Sequence, residues 1–457
     1  MSITTGIMST LLSGLTTYQA AISVTGSNIA NAESTGYSRQ AVIIRSDSSG
    51  VSNLDGVEVA EVRRVNDRFC FSQVVSSTED MGKLETEDKY MSYVESVFDE
   101  SEGSGVNEAL SDFWNGWLEL VNNPSGYAER AAIVSGAETL CSNLNEAVEQ
   151  LESLQNEIDQ EISSTVDEIN NLTERIADLN SRIAKAAAAG KDANTLLDSL
   201  DSLTEELAAL VDINVSYSDN GQAAIQLADG KPLVSGGRSY SLAAEVDSDA
   251  GSLTITWNDG SGSSSSVDDV ITSGALGGCL EVRDELIPGY LEDLDSLAAT
   301  LIQEVNDLLE SGYDLNGDPG TALFTGAGAG DIAVAQTLAD DPNLLAAAGS
   351  ESGSGDATIA QAMVELQDEN VMNGGTSTLD EFYQALVAEV GADVEKVGDD
   401  YEQAENIAEL NNNYRESVSG VSVDEETANL VLFQQAYNAS AKVMTVLREL
   451  METILDL

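Results

Sequence analysis

The chain has 457 residues, 42% of them apolar, so it is long enough for two to four domains and apolar enough to bury real cores. Its 19 basic and 80 acidic side chains give a net charge of −61, which repels phosphate backbones and anionic headgroups and argues against nucleic acid and membrane surfaces as partners. Histidine is absent, which excludes His-based acid–base catalysis and His-ligated metals, and the widely spaced Cys70, Cys141 and Cys279 form no CxxC pair for zinc or a disulfide framework.

The charge is unevenly spread. Residues 1–70 carry five basic and six acidic side chains and residues 413–457 carry three and seven, so residues 71–412 hold −56 of the total. Two nearly neutral ends flank a highly charged body, which reads as solvated exterior or as an adaptation to salt or cations. The first basic residue is Arg39 and no run of 18 apolar residues occurs, so neither a cleaved leader nor a transmembrane helix is expected.

The first predicted element is a helix. Met8, Leu11, Leu15, Tyr18, Ile22, Thr25 and Ile29 alternate at spacings of three and four, a heptad seam that is apolar apart from Thr25. The other faces carry Ser, Thr, Gln and Ala with almost no charge, which suits cover by protein rather than water. The helix should stop at 31–34, inside SNIANAESTGYSRQ (27–40). There Asn31 and Ser34 can bond terminal carbonyls or turns, and Gly36 permits a positive φ for a sharp exit. Tyr37 and Arg39 are then placed to anchor the connecting segment to neighbours. Strands are expected in QAVIIRS and GVEVAEVRRV, within 38–65.

A longer seam, Leu144, Val148, Leu151, Ile158, Ile162, Ile169, Leu172, Ile176, Leu179 and Ile183, predicts a helix from about 137 to 188. Gly190 breaks it, and Leu196, Leu200, Leu203, Leu207 and Leu210 resume it as the second arm of a helical hairpin. Residues 212–280 alternate apolar and polar positions between Asn-Gly and Asp-Gly turns, which predicts a small inserted β domain with SGSSSS as a flexible tip. Helices follow over Ile287–Leu308 and Leu379–Ala404, with GTALFTGAGAGDIAV between them as irregular structure or short strand.

The last element mirrors the first. Leu430, Phe433, Tyr437, Ser440, Met444, Leu447, Met451 and Ile454 repeat the three–four alternation, and Asp424, Glu425 and Glu426 sit where a helix N-terminal dipole favours acids. Each terminal helix spans roughly 25 residues, about 37 Å. Seams of equal length at opposite chain ends are what antiparallel pairing needs, with each other and with other subunits. Packing of each on a globular core is the alternative. The expected fold is mainly α: an elongated helical bundle with terminal coiled-coil helices from both chain ends and a small inserted β domain.

No catalytic constellation stands out. GxSxG, P-loop and HExxH are missing, and 80 acids make any carboxylate pair uninformative. DLNGDPG places Asp314, Asn316 and Asp318 at alternate positions as in a calcium loop, but Gly320 comes one place late and Thr325 stands where a Glu is wanted. A tight Asx turn is the expectation, with no catalytic residue, metal ligand or cofactor.

The two ends together resemble the bacterial flagellar axial family of rod, hook and hook-associated proteins. SNIANAESTGYSRQ resembles its N-terminal signature, and the Tyr37–Gln40 ending is most similar to the hook-associated branch. At the other end the matching pieces are SVSGV (417–421), DEE (424–426), ANL (428–430) and FQQAY (433–437). The likeness covers about 85 residues at the termini and is weaker in the middle. The chain is short for the family, and an outer domain of longer members is expected to be missing.

The resemblance implies a structural subunit at the junction between hook and filament, not an enzyme, assembling through its terminal helices. It implies an axial motif of Asn28, Asn31, Gly36, Tyr37, Ser38, Arg39 and Gln40. It implies an N-terminal assembly seam of Met8, Leu11, Leu15, Tyr18, Ile22 and Ile29, and a C-terminal one of Leu430, Phe433, Tyr437, Met444, Leu447, Met451 and Ile454. Expected domains are an axial helix with extended connector (1–70), a helical bundle in two parts (71–212 and 285–412), the inserted β domain (213–284) and the C-terminal axial helix (413–457). The implied partners are further copies of the chain in a ring, the hook protein, a second hook-associated junction protein and an export chaperone, with no nucleic acid and no membrane. The implied location is the extracellular flagellum, reached by type III export without a cleaved signal peptide. The rival readings are another axial protein (hook or distal rod), and a secreted carbohydrate-active enzyme or adhesin carrying axial termini.

Overall fold

The computed structural model describes residues 2–34, 36–47, 56–99, 105–246, 252–351, 353 and 355–455, with backbone alone for 2–5, 47, 454 and 455. In chain order, α1 (Ser2–Ala30) leads to an antiparallel hairpin of β1 (Gln40–Asp47) and β2 (Gly56–Arg64). Helices α2 (Arg68–Val97), α3 (Val106–Asn122), α4 (Tyr127–Ala188) and α5 (Asn194–Leu210) follow. Next come the short strands β3 (Asn214–Tyr217), β4 (Ala223–Gln226), β5 (Pro232–Ser235), β6 (Arg238–Ser239), β7 (Ser241–Val246), β8 (Leu253–Asn258) and β9 (Ser264–Ser266). The remainder is α6 (Gly274–Glu281), α7 (Ile287–Glu310), β10 (Phe324–Thr325), β11 (Ala333–Val334), α8 (Gln336–Asp340), α9 (Thr358–Gln367), α10 (Leu379–Ser419) and α11 (Val423–Leu455). The protein is therefore mainly α, with long helices at both ends and small sheets between.

Two compact units divide the chain. The first comprises residues 1–83, 165–276 and 403–457, and the second residues 84–164 and 277–402. In the first, α1 packs on α11 and on the β1–β2 hairpin. The α4–α5 turn closes as a Schellman motif: Lys191 N–H donates to Ala186 O (3.0 Å) and Gly190 N–H to Ala187 O (3.0 Å), with Gly190 at φ +62°. A four-stranded sheet, β3–β4–β5–β6, and a three-stranded sheet, β7–β8–β9, are tied to α4 by two of its asparagines. Asn180 holds the first sheet by receiving Ala223 N–H (2.9 Å) and donating to Ala223 O (2.7 Å) and Gly236 O (2.9 Å). Asn170 pairs in the same two-point manner with Leu242 N (2.9 Å) and O (2.8 Å). Each side-chain amide thus completes a strand's hydrogen bonding as a neighbouring strand would.

The second unit is built around Phe113, Trp114 and Trp117 of α3, Leu140, Leu144 and Leu151 of α4, Leu297 and Leu301 of α7, Met363 of α9 and Phe324, all buried. Polar ties fix the helix faces: Trp114 Nε1–H donates to Asp380 (3.2 Å) and the Tyr290 hydroxyl to Asp393 (2.8 Å). Cys70, Cys141 and Cys279 are buried unpaired thiols, and burial pushes Cys141 and Cys279 up to about 12, so neither is a reactive thiolate.

Several boundaries differ from the periodicity reading. Helix α4 begins at Tyr127 rather than near 137, because Ile133, Ala137 and Leu140 continue its buried stripe. Helix α10 runs on past Ala404 to Ser419, where the further buried positions are Ala408 and Ser419, small side chains that a search for large apolar residues passes over. The SGSSSS tip, expected to be a free loop, contributes β9 to the sheet by pairing Ser264–Ser266 with Thr256–Asn258. Loop Asp314–Asp318 is an Asx turn: Asp314 Oδ1 accepts from Asn316 N (2.8 Å) and Asp318 N (2.9 Å).

Candidate functional site

The string at 27–40 ends α1 and turns the chain back onto it. Asn31 N–H is shared between Ser27 O (3.1 Å) and Asn28 O (3.2 Å), while its side chain donates to Ser27 O (2.9 Å). Gly36 adopts φ +76°, a conformation that costs other residues strain. The reversal brings Tyr37 and Gln40 back to Asn28.

Asn28 is 0% exposed and sits at the centre of the joint. Its Nδ2 donates to Gln40 O (2.8 Å) and Glu426 Oε2 (2.9 Å). Its Oδ1 accepts from the Tyr37 hydroxyl (2.9 Å) and Gln40 N–H (3.0 Å). An asparagine amide has two donor hydrogens and two acceptor lone pairs, so all four capacities are met. Only an amide of this length satisfies both a strand edge and a carboxylate at once.

Glu426 is equally engaged. It is 3% exposed; Oε1 accepts from Arg39 Nε (2.9 Å) and Oε2 from Asn28. Arg39 also lies 3.4 Å from Glu425, and its backbone N–H donates to Ser419 O (2.9 Å). The acids at the start of α11 were expected simply to complement a helix dipole. Glu426 instead turns inward as the receptor for the N-terminal motif. Tyr37 and Arg39, expected to reach neighbours, anchor inside their own chain.

A second ion-pair layer lies beside the first. Arg64, at the end of β2, is buried between Asp198 (3.1 Å) and Asp201 of α5, and Arg68 also bonds Asp201 (3.0 Å). Arg68 stacks 3.6 Å over the Tyr217 ring, and Arg415 pairs with Glu205. Acids at 198, 201 and 205 share one face of α5, since spacings of three and four return to the same side. Four of the chain's 19 basic residues, Arg39, Arg64, Arg68 and Arg415, gather here. Burial pushes the Asp198 carboxyl up against the pull of Arg64, pushes Glu205 up against Arg415, and raises the Tyr37 hydroxyl. Ser38, the remaining motif residue, lies beside Asp198 and favours its charged form. A cavity of about 510 Å³ opens here, lined in part by Arg39, Asp201, Glu205 and Arg415. These carboxylates already hold arginines, so the arrangement serves as a clamp rather than a proton-transfer site. Among the described residues no cluster of His, Cys, Asp and Glu is arranged to hold a metal.

From this joint the terminal helices run antiparallel. Asn28 faces Glu426, and Gly14 faces Ser440, where a methyl on Gly14 would stand 3.6 Å from the serine hydroxyl. The deepest line on α1 is Gly14, Thr17, Ala21, Thr25 and Asn28. It is one position from the large-residue seam, because small side chains let the hairpin backbone approach: Thr17 Oγ1 donates to Val57 O (3.1 Å). Leu11, Leu15, Tyr18, Ile22 and Ile29 flank that line half-buried, and Met8 is 45% exposed. On α11, Leu430, Phe433, Tyr437, Met444, Leu447 and Met451 are half-buried, while the Ile454 side chain lies outside the described residues. A second face of α11 is apolar and open: Leu432, Val443, Val446 and Leu450 line up within one helical stripe and are 49–61% exposed.

Sequence reasoning found the N-terminal half of this site but not Arg64, Asp198, Asp201 or Glu205. The one signal available was the three–four spacing of acids on α5, which is lost among 80 others.

Comparison with known proteins follows the same division of the chain. The model of the flagellar hook-associated protein FlgK helical domain matches residues 91–324. A flagella basal body rod protein model matches residues 8–37, and the flagellar basal body rod FlgEFG protein C-terminal model matches residues 415–457. Flagellar hook-associated protein 1 of Bacillus subtilis is 27% identical, over 97% of this chain and 96% of that protein. The Escherichia coli protein of the same name is 25% identical over 99% of both. The flagellar hook junction protein FlgK from Burkholderia pseudomallei has a similar fold, with a TM-score of 0.71 at 18% identity over 76% of this chain and all of that one.

Proposed function

The chain belongs to the flagellar hook-associated protein family, structural components of the flagellum, and from that premise we propose that it joins hook to filament as an assembled ring of copies. The observation that carries this reading is the closure of the two chain ends on each other. The Asn28–Glu426–Arg39 lock sets α1 and α11 in register, and the paired helices then present Met8, Leu12, Leu432 and Leu450 outward. An aligned apolar stripe on a long helix is a surface that neighbouring subunits cover. The half-buried seams Leu11–Ile29 and Leu430–Met451 hold the pair together, and the open faces make the contacts between copies.

The hook protein is the proximal neighbour in this reading and a second hook-associated protein the distal one. An export chaperone holds the apolar C-terminal helix before assembly. The role is structural, not enzymatic, and its place is the extracellular flagellum. None of the described helices is long and apolar enough to cross a membrane. The bundle (71–212 and 285–412) and the inserted strands (213–284) form the outer parts, and the axial segments 1–70 and 413–457 form the inner tube.

Electron microscopy of cells lacking the chain tests the proposal. Hooks without filaments, with flagellin released to the medium, are the expected result. Missing hooks would assign the chain to rod or hook instead, and normal filaments would refute an axial role.

A further inference from the structure

The second compact unit has an extreme charge. Residues 84–164 and 277–402 contain 45 acidic and four basic side chains, a net of −41. Of the four, Arg130 and Arg283 are buried, at 2% and 6% exposure. Arg130 holds the backbone carbonyls of Pro124 and Leu345, and Arg283 holds Asp159 and Asp284. Lys89 and Lys396 are left as the basic side chains on that unit's surface.

The acids are also arranged against each other. From 131 to 164, helix α4 carries Glu138, Glu146, Glu149, Glu152, Glu157, Asp159 and Glu161 with no Lys or Arg. Glu146, Glu149 and Glu152 recur every three residues on its exposed side, and Glu395, Asp399 and Glu402 do so at four and three on α10. Neighbours at such spacings stand about 5–6 Å apart at Cβ, and like charges there destabilise the helix. That separation lies well inside the Debye length of about 10 Å at 0.1 M salt and outside the roughly 3 Å of 1 M salt. The packed core must hold this repulsion in check at low salt, and mobile cations relieve it at high salt.

We propose that this unit is a polyanionic body whose folding is conditional on a concentrated cation atmosphere, so that the protein is built for a salt-rich medium. The agent is diffuse screening by small cations rather than a bound ion. Unfolding spreads the charges apart, so the unfolded chain gains least from added salt.

Thermal unfolding of the full chain by circular dichroism, from 0.05 to 2 M KCl, tests this. The midpoint should rise by about 5 °C, and choline chloride at equal ionic strength should act alike. A variant carrying E146Q, E149Q, E152Q, E395Q and E402Q should be more stable in 0.05 M KCl and show a shallower rise. A midpoint that is flat or falls with salt would overturn the proposal. So would a slope unchanged in the variant, which would assign it to general salting-out. A rise that saturates at millimolar Ca²⁺ or Mg²⁺ would mean ions held at a defined site and would overturn it equally.

Discussion

Replacing Asn28 by alanine removes four hydrogen bonds from a residue with no solvent exposure. Gln40 loses partners for both its N–H and its carbonyl, and Glu426 loses one of its two donors. Tyr37 is half-buried and can turn its hydroxyl to water. Each neutral bond is worth about 1 kcal/mol and the one to the carboxylate about 2 kcal/mol. The joint should therefore weaken by about 3–4 kcal/mol. The effect should be local, since the second unit contributes nothing to this network. Hydrogen exchange followed by mass spectrometry gives the test. The Gln40 amide should exchange about two orders of magnitude faster in the variant, at 1.4 kcal/mol per tenfold. Peptides from α3 and α7 should be unchanged. Asn28→Asp should be at least as damaging, because it sets a second carboxylate against Glu426. A Gln40 amide that exchanges at the wild-type rate in Asn28→Ala would refute the reasoning, since the lock would then contribute nothing to the register of α1 and α11.

Asn180→Ala should lower stability by about 2 kcal/mol, because Ala223 loses both backbone partners in a buried setting, and the thermal midpoint reports it. Gly274→Ala should cost about 3 kcal/mol or more, because φ is +74° and a methyl would stand 2.4 Å from Val211 N; Gly190→Ala, at φ +62° with open space around it, should cost about 1 kcal/mol. Burial raises the Glu79 carboxyl to about 7. A raised folded pKa means that its contribution is complete below about pH 4.5 and is lost as pH rises through 7. Glu79→Gln should remove up to about 3 kcal/mol of that pH dependence, measured as the difference between wild-type and variant unfolding curves from pH 4.5 to 8.

The sequence by itself determined the two terminal helices, the α4–α5 hairpin, α7 and α10, while α2 and α3 went unread and the pairing of the two ends kept packing on a core as its alternative. Heptad spacings at both ends, the break at Gly190 and the Asn-Gly and Asp-Gly turns are local signals, because periodicity and backbone preference act over a few residues. Gly36 and Asn31 were legible as a helix end for the same reason. Only the tertiary structure decided which residues the joint uses. Asn28 and Glu426 lie 398 positions apart, and nothing near either marks it as a partner. Asp198 and Asp201 look like any other acids until Arg64 is folded between them. The deepest line of α1 is made of Gly, Ala and Thr, which a hydrophobic pattern ranks low. They are buried because a hairpin backbone needs to come close, and that demand arises only once the chain has folded back on itself.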